Sequence, residues 1–577
     1  MQLTGAEALE RLLAGEGVTA AYGVVGGKLA PLLHAIARGQ RIRFVGTRHE
    51  SAAAMMAAAS FAGTGRIAIA LGEMGPGSLN LAAGAGTAFG NNLAALLITT
   101  NQHRAAAYPH AGMFMDLDAV HLFKPITKWN AVVHDPRRLP DLVRHAFREA
   151  LSGRPGPVHL DVPQDVLAAA VEFADDEFDL RPEQYRPTTG PRPAIHLLHE
   201  AAEMLRRARR PLIVAGGGVV ASGAEQGIRD LAARLRAPVI ATQMALGVVP
   251  TDSRHFIGHG GIIGGDALHA ALREADVMLA VGCRFSSWMW DERGPLAGRA
   301  QQRLININID PSALGQPARH AVAMVADAKA ALSGLIEALD EGESPEVEET
   351  WLARLRTQRR AYEAQFEAAE TPQDDAMHPA ALSIAIARAL PENALVVFDG
   401  GHTTFWSNDI IPVSRSRSRF HDPGMCQLGF GLPYALALQI ENRSVPVINI
   451  TGDGSFGFTI QELDTARRHR LPVVTIVHNN AAWGIIRAGQ RAQLDFELGT
   501  ALDGTDYAAV ARGFGCFGEA VTHERELAPA LTRALRSGLP AVLDCHTRFV
   551  PHPCLKAFGR MNAYGFDALT RVPARAQ

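Results

Sequence analysis

The sequence predicts an α/β protein of three doubly wound parallel-sheet domains, on three observations. Its 577 residues exceed one compact core and suit three domains of about 150–200 residues each. Strand-length apolar runs alternate with helical patterns along the chain, with glycine at the connections, as open parallel sheets require. Two polar stretches interrupt the alternation: RPTTGPRP near 187–193, and the acidic DEGESPEVEE at Asp340–Glu349.

In the first unit, 1–175, Ala6–Leu13 reads as helix, Phe44–Gly46 as a strand end and Ser51–Ala62 as an Ala/Met-rich buried helix. Strands are expected at Ile67–Leu71, Leu96–Thr99 and Pro157–Val162. The second unit, 190–340, has strands at Pro211–Val214, Val277–Val281 and Leu304–Ile309, the first running into a glycine loop at Gly216–Gly218. The third, 375–550, repeats the logic with strands at Ala394–Phe398, Val445–Ile450, Val473–His478 and Ala541–Cys545, and helical pattern after Glu524. Residues 551–577 read as an extension beyond the last strand.

Composition excludes several classes. Hydrophobic content of 47% and charged content of 20% are those of a globular protein with large cores. A net charge of −3, from 56 basic and 59 acidic residues, gives no electrostatic footprint for nucleic acid or an anionic membrane. No apolar run approaches the ~20 residues of a membrane span. MQLTGAEALERLLAGEGV has no basic segment ahead of an apolar core, so it does not read as a secretory signal. Five cysteines (Cys283, Cys426, Cys516, Cys545 and Cys554) lack metal-site spacing and read as reduced thiols. A cytoplasmic protein is the expectation.

The most informative segment is GDGSFGFTIQELDTARRHRLPVVTIVHNN, Gly452 to Asn480. One strand ends in Gly452-Asp453-Gly454-Ser455 and the next in Asn479-Asn480, so Asp453 and Asn480 stand 27 residues apart. A right-handed crossover between parallel strands delivers both ends to one sheet edge. One carboxylate and one amide oxygen, completed by phosphate and water, suit Mg²⁺. The glycines let a diphosphate approach backbone N–H groups at a helix N-terminus. GDG or NN alone is an ordinary turn; their spacing at two strand ends makes the signal. In the first unit, Thr47-Arg48-His49-Glu50 leads into SAAAMMAAASFA, which offers a carboxylate nothing to solvate it. Such acids are costly and tend to be functional. The bland alternative is that Glu50 caps the helix or pairs with Arg48.

These motifs resemble those of the thiamine diphosphate (ThDP) enzymes, whose signature is GDG followed by NN. The resemblance implies a pyrimidine-binding domain, a central domain and a diphosphate-binding domain, in that order. It also implies active sites between the first domain of one subunit and the third of another, hence a homodimer or homotetramer. Asp453, Asn480 and the backbone carbonyl of Ala482 would hold Mg²⁺, and Glu50 would exchange a proton with the aminopyrimidine ring of the cofactor. Further segments match in order. Gly26-Gly27 ahead of Pro31-Leu32, and Gly75-Pro76-Gly77 with Asn80, resemble first-domain cofactor loops. Gly401-His402-Thr403 sits where relatives contact the diphosphate, and Trp483-Gly484-Ile485 follows the second metal ligand. Met425–Pro433 resembles the stretch that bends the cofactor, with Leu428 as apolar wedge and the Cys426 carbonyl facing the cofactor's amine.

Within that family the chain looks most like the acetohydroxyacid synthases. FKPITKW (Phe123–Trp129), GCRF (Gly282–Phe285) and Ile307–Asp310 resemble their segments. It departs from them at Phe114-Met115-Asp116, where synthases carry Phe-Gln-Glu, and at Ala481-Ala482-Trp483, where relatives are acidic. Met115, Phe114 and Trp483 therefore predict an apolar substrate pocket, for a small-molecule 2-oxoacid or 2-hydroxyacyl donor other than pyruvate. Flavin is not expected, since Ile263 stands where synthases have His. A CoA or ADP site in the central domain stays open, although Gly216–Gly218 reads more readily as a strand–helix turn than as a nucleotide site. The rival reading is a 2-hydroxyacyl-CoA lyase or oxalyl-CoA decarboxylase relative, with Lys556 and Arg560 in a C-terminal lid. An inactive scaffold subunit is disfavoured by the intact Glu50, Asp453 and Asn480.

Overall fold

In the computed structural model residues 1–107, 112–261, 263–291, 294–295, 301–315, 318–367 and 376–555 are described. Lys556 and Arg560, expected in a lid, lie outside the described residues.

Three six-stranded parallel sheets, flanked by helices, follow one another along the chain. The first runs Arg43–Gly46, Ala20–Gly23, Ile69–Gly72, Leu96–Asn101, Val158–Pro163 and Trp129–Val132 across the sheet. The third runs Arg419–Phe420, Leu395–Phe398, Val447–Gly452, Val474–Asn479, Ala541–His546 and Phe517–Val521. Counted along the chain, both have the strand order second, first, third, fourth, sixth, fifth. The middle sheet differs: Phe256–His259, Val239–Ala241, Pro211–Ala215, Val277–Val281, Arg303–Asn308 and Val322–Val325. That order, third, second, first, fourth, fifth, sixth, is the one dinucleotide-binding folds use. The inner strands are buried on both faces and so read as continuous apolar runs.

The Gly216–Gly218 stretch is a strand–helix turn, with Gly216 leading from Pro211–Ala215 into the helix Gly217–Ser222. Close packing demands glycine there. A Cβ on Gly216 would lie 2.2 Å from the Gly282 carbonyl oxygen, and one on Gly218 2.7 Å from the Gly282 Cα. The helix Thr350–Glu367, absent from the sequence reading, carries Trp351 and Leu355 into the central core, and Trp351 Nε1 donates to Pro211 O at 2.9 Å.

First and third domains meet through two helices. Glu50–Thr64 is buried all round, from Ala52 to Ser60, between its own sheet, the helix Pro76–Asn91 and the third-domain helix Gly431–Glu441. A helix enclosed on every side needs no polar face, which accounts for its Ala/Met composition. Small residues let the partners approach: a Cβ on Gly84 would sit 2.1 Å from Ser51 O, and one on Gly63 2.7 Å from Leu438 Cδ2.

Candidate active site

Strands Val447–Gly452 and Val474–Asn479 are parallel neighbours, with Gly452 opposite His478, so Asp453 and Asn480 emerge at the same edge. Asp453 is buried; its carboxylate accepts the N–H of Gly454 at 2.8 Å and of Ala482 at 3.2 Å. Burial nevertheless pushes its carboxyl up to about 6. Its charge therefore calls for a cation. Beside it, the buried Oδ1 of Asn480 has no hydrogen-bond partner among the described residues. A carboxylate and an unpartnered amide oxygen side by side are a donor set for a hard divalent cation.

Two helices begin around this pair, Gly401–Ile410 after Gly400 (φ 86°), and Gly484–Leu494 after Trp483. A Cβ on Gly484 would lie 2.9 Å from His402 Nδ1 and 3.4 Å from Asn480 Nδ2, while Gly401 faces Ile485 and Gly452 faces Thr403 Oγ1. The structure thus brings Gly401, His402, Thr403, Gly452, Asp453, Asn480, Gly484 and Ile485 together. Backbone N–H groups at two helix N-termini, with no side chains in the way, form a cradle that fits a diphosphate. Burial pushes His402 down to about 3, so it is a neutral group there.

Asp399, at the end of the neighbouring strand Leu395–Phe398, organises this cradle and was missed in the sequence. It accepts Ser455 Oγ at 2.6 Å and the N–H groups of Gly400 (2.6 Å), Gly431 (3.1 Å) and Gly429 (3.3 Å). Burial raises its carboxyl above the usual range, against those bonds. The signal was present: Phe398-Asp399-Gly400 repeats the strand-end pattern of Thr451–Gly454.

Glu50 lies in the first domain, as the opening residue of its helix. The cap is His49, whose Nδ1 accepts the Ser51 N–H, and Arg48 pairs with Asp464 at 3.8 Å, so neither bland role falls to Glu50. Glu50 is buried; Asn80 Nδ2 donates to its Oε2 at 3.0 Å, and Gly77 packs against Oε1. Gly75 (φ 69°) and Pro76 turn the chain there, and Gly75 packs against the backbone of Met115, itself at φ 61°. Phe114 beside it is 77% exposed. Gly26 rests on the Glu73 carboxylate, which accepts the N–H groups of Lys28 and Leu29 and so shapes the Gly26-Gly27 loop. Glu73 also escaped the sequence reading.

Trp483 covers Gly454 and meets Phe458 edge-on at 6.1 Å, in the third domain. Cys426 (φ 53°) and Leu428 stand in a loop tied by Asp422 and Gln427 to Thr87 of the helix Pro76–Asn91. Among the described residues, no hydrogen bond or ion pair joins Glu50 to Asp453 or Asn480, nor does a ring contact join Phe114 to Trp483.

Residues 3–122 match the thiamine pyrophosphate enzyme N-terminal TPP binding domain, 198–335 the central domain, and 399–545 the C-terminal TPP binding domain. A probable acetolactate synthase large subunit of Methanocaldococcus jannaschii is 31% identical over 556 residues, 94% of this chain and 91% of that one. The chain belongs to the thiamine pyrophosphate enzyme family. Other relatives are the acetolactate synthase large subunit of Parasynechococcus marenigrum, 31% identical over 95% of this chain and 88% of its own, and the acetolactate synthase isozyme 1 large subunit of Escherichia coli, 30% identical over 89% and 88%. It is a ThDP-dependent enzyme, and the cradle at Asp453 lies in the segment matched as TPP-binding. No helix among the described residues is long and apolar enough to cross a membrane.

This thiamine pyrophosphate enzyme has a second concavity, a cavity of about 550 Å³ at the C-terminal ends of the central strands. Gly217, Gln243, Arg284 and Arg417 line it, and both amide atoms of Gln243 are buried without a partner among the described residues.

Proposed function

We propose that the chain is a ThDP- and Mg²⁺-dependent lyase or carboligase acting on a 2-oxoacid donor, in the manner of the acetolactate synthases among its relatives. The observation that carries the metal half is the unpartnered Asn480 Oδ1 beside the buried Asp453 carboxylate. In this reading Asp453, Asn480 and the Ala482 carbonyl hold Mg²⁺. The helix starts at Gly401–Thr403 and Gly484–Ile485, with Gly452, Gly454 and Ser455, hold the diphosphate. ThDP, when bound, supplies the electron sink that stabilises a carbanion beside a carbonyl. Glu50 holds and returns the proton at the aminopyrimidine ring, with Asn80 fixing its carboxyl. Leu428 is the wedge, and the Cys426 carbonyl accepts from the amine. Phe114, Met115 and Trp483 line the substrate pocket and select an apolar donor over pyruvate.

The domains divide at 1–175, 190–340 and 375–550. The working form in this reading is a homodimer or homotetramer, with each site between the first domain of one subunit and the third of another, as the family pattern implies. Reduced thiols and balanced charge support a cytoplasmic location. The central cavity favours a second reading, an acyl-CoA lyase or decarboxylase, with the ADP portion of CoA against Arg284 and Gln243.

Dialysis against EDTA followed by ThDP with Mg²⁺ should raise the melting temperature by mass action, by about 2.7 kcal/mol of stability at a hundredfold excess over Kd. Unchanged melting overturns the cofactor assignment. Mass spectrometry of the holoenzyme with pooled 2-oxoacids and 2-hydroxyacyl-CoAs separates the two readings by which pool is consumed.

A further inference from the structure

We infer that Asp409 and His552 are positioning residues that hold His402 in the tautomer donating from Nδ1 into the diphosphate cradle. The inference rests on the ThDP reading above and extends it to a buried network outside the site. Asp409 lies in the helix Gly401–Ile410, seven residues beyond His402. His259 Nε2, from the central domain, reaches its Oδ1 at 2.9 Å. On its Oδ2, Tyr362 OH donates at 2.6 Å and His552 Nε2 stands at 3.4 Å. All four side chains are screened from solvent to differing degrees, and that of His552 is 1% exposed. Burial disfavours the charge of Asp409, yet the two histidines hold its carboxyl below the usual range.

His552 is packed among aromatic rings, and its Nε2, which makes no hydrogen bond among the described residues, lies within ion-pair range of Asp409. Its ring meets Trp406 edge-on at 4.4 Å and lies nearly parallel to Phe366 at 5.7 Å. Its Nδ1 accepts the Cys554 N–H at 3.2 Å, so its proton is on Nε2, the nitrogen facing Asp409. So anchored, the His552 backbone N–H donates to His402 Nε2 at 3.1 Å. With Nε2 accepting that N–H, the ring proton of His402 is on Nδ1. Nδ1 is the nitrogen beside Gly484 and the Asn480 amide. Released from His552, His402 could invert and turn a lone pair toward an anion.

The test is a double-mutant cycle on cofactor affinity. Apo protein is titrated with ThDP at saturating Mg²⁺, followed by tryptophan fluorescence, for wild type, Asp409→Asn, His402→Ala and the pair. Asp409→Asn should weaken binding about tenfold, the scale of one lost hydrogen bond to a charged group, and should add nothing once His402 is alanine. Additive losses overturn the inference, because a merely structural Asp409 would act regardless of His402. Should Asp409→Asn fail to fold, His552→Leu and His552→Gln replace it. Leucine should reproduce the loss and glutamine, which retains a donor for Asp409, should restore affinity; equal effects overturn it. Wild type that binds no ThDP overturns the cofactor reading as well, whereas additive losses overturn this inference alone.

Discussion

Two glutamates flank the turn at Arg48–His49 and do different things there. Glu50 is the proton carrier we propose, and Glu50→Gln is nearly isosteric, so ThDP binding should survive. Turnover should fall by about 10²–10⁴-fold, the range of general acid–base catalysis. Exchange of the thiazolium C2 proton into D₂O, read by quenched NMR, should slow in parallel; wild-type exchange would make Glu50 merely structural. Glu462, from the third domain, accepts the Arg48 N–H at 3.1 Å and Thr465 Oγ1 at 2.6 Å. Burial pushes it from 4.5 up to about 7. A raised folded value means its contribution is complete below 4.5 and is lost as pH climbs through 7, an amount on the order of 3 kcal/mol. Urea unfolding at pH 5 and pH 8 should show this fall in wild type and a flatter profile in Glu462→Gln; identical profiles would remove Glu462 from the account. The strand-end placement of Asp453 and Asn480 and the buried setting of Glu50 were legible because spacing and apolar composition are local in sequence. Glu73, Asp399 and Glu462 were not, since each acts on backbone N–H groups that only the fold brings within reach.

Among elements, the paired helices Glu50–Thr64 and Pro76–Asn91 set where Glu50 stands. Gly84 touches the Ser51 carbonyl, one residue beyond Glu50, and the neighbour there is backbone, which cannot swing aside. Gly84→Ala gains about 1 kcal/mol of helix propensity but forces the helices apart. Overpacking costs of about 1–3 kcal/mol should prevail. Melting temperature should drop, and kcat should fall further than stability accounts for, as Glu50 moves with Ser51. A variant as stable and active as wild type would show the crossing to be tolerant. The same burial logic explains which strands the sequence revealed. Val277–Val281 and Val474–Asn479 are inner, wholly buried and rich in β-branched residues. Trp129–Val132, Phe517–Val521 and Val322–Val325 are edges, only partly buried, with mixed composition. Ala20–Gly23, though inner, is too rich in Ala and Gly to read as strand.

For the whole molecule, the proposal that each site lies between two subunits predicts complementation. Glu50→Gln and Asp453→Ala chains, each inactive, are co-expressed. Random pairing yields heterodimers with one site built from two intact halves, and activity should recover to about a quarter of wild type if sites span a twofold interface. No recovery would place both halves within one chain. The exposed Val25, Leu79, Phe114 and Phe458 are the apolar surface such an interface would cover.

The strand order of the third sheet has a consequence for biosynthesis. Ala541–His546, the last strand in chain order among the described residues, is not an edge: it wedges between Val474–Asn479 and Phe517–Val521. Chains emerge amino terminus first. Until this strand emerges, Phe517–Val521 has no neighbour in the sheet, and the His552 N–H that meets His402, 150 residues upstream, does not yet exist. The first domain can close while translation continues. The third must wait for its keystone, so cofactor loading belongs to the finished chain rather than the nascent one.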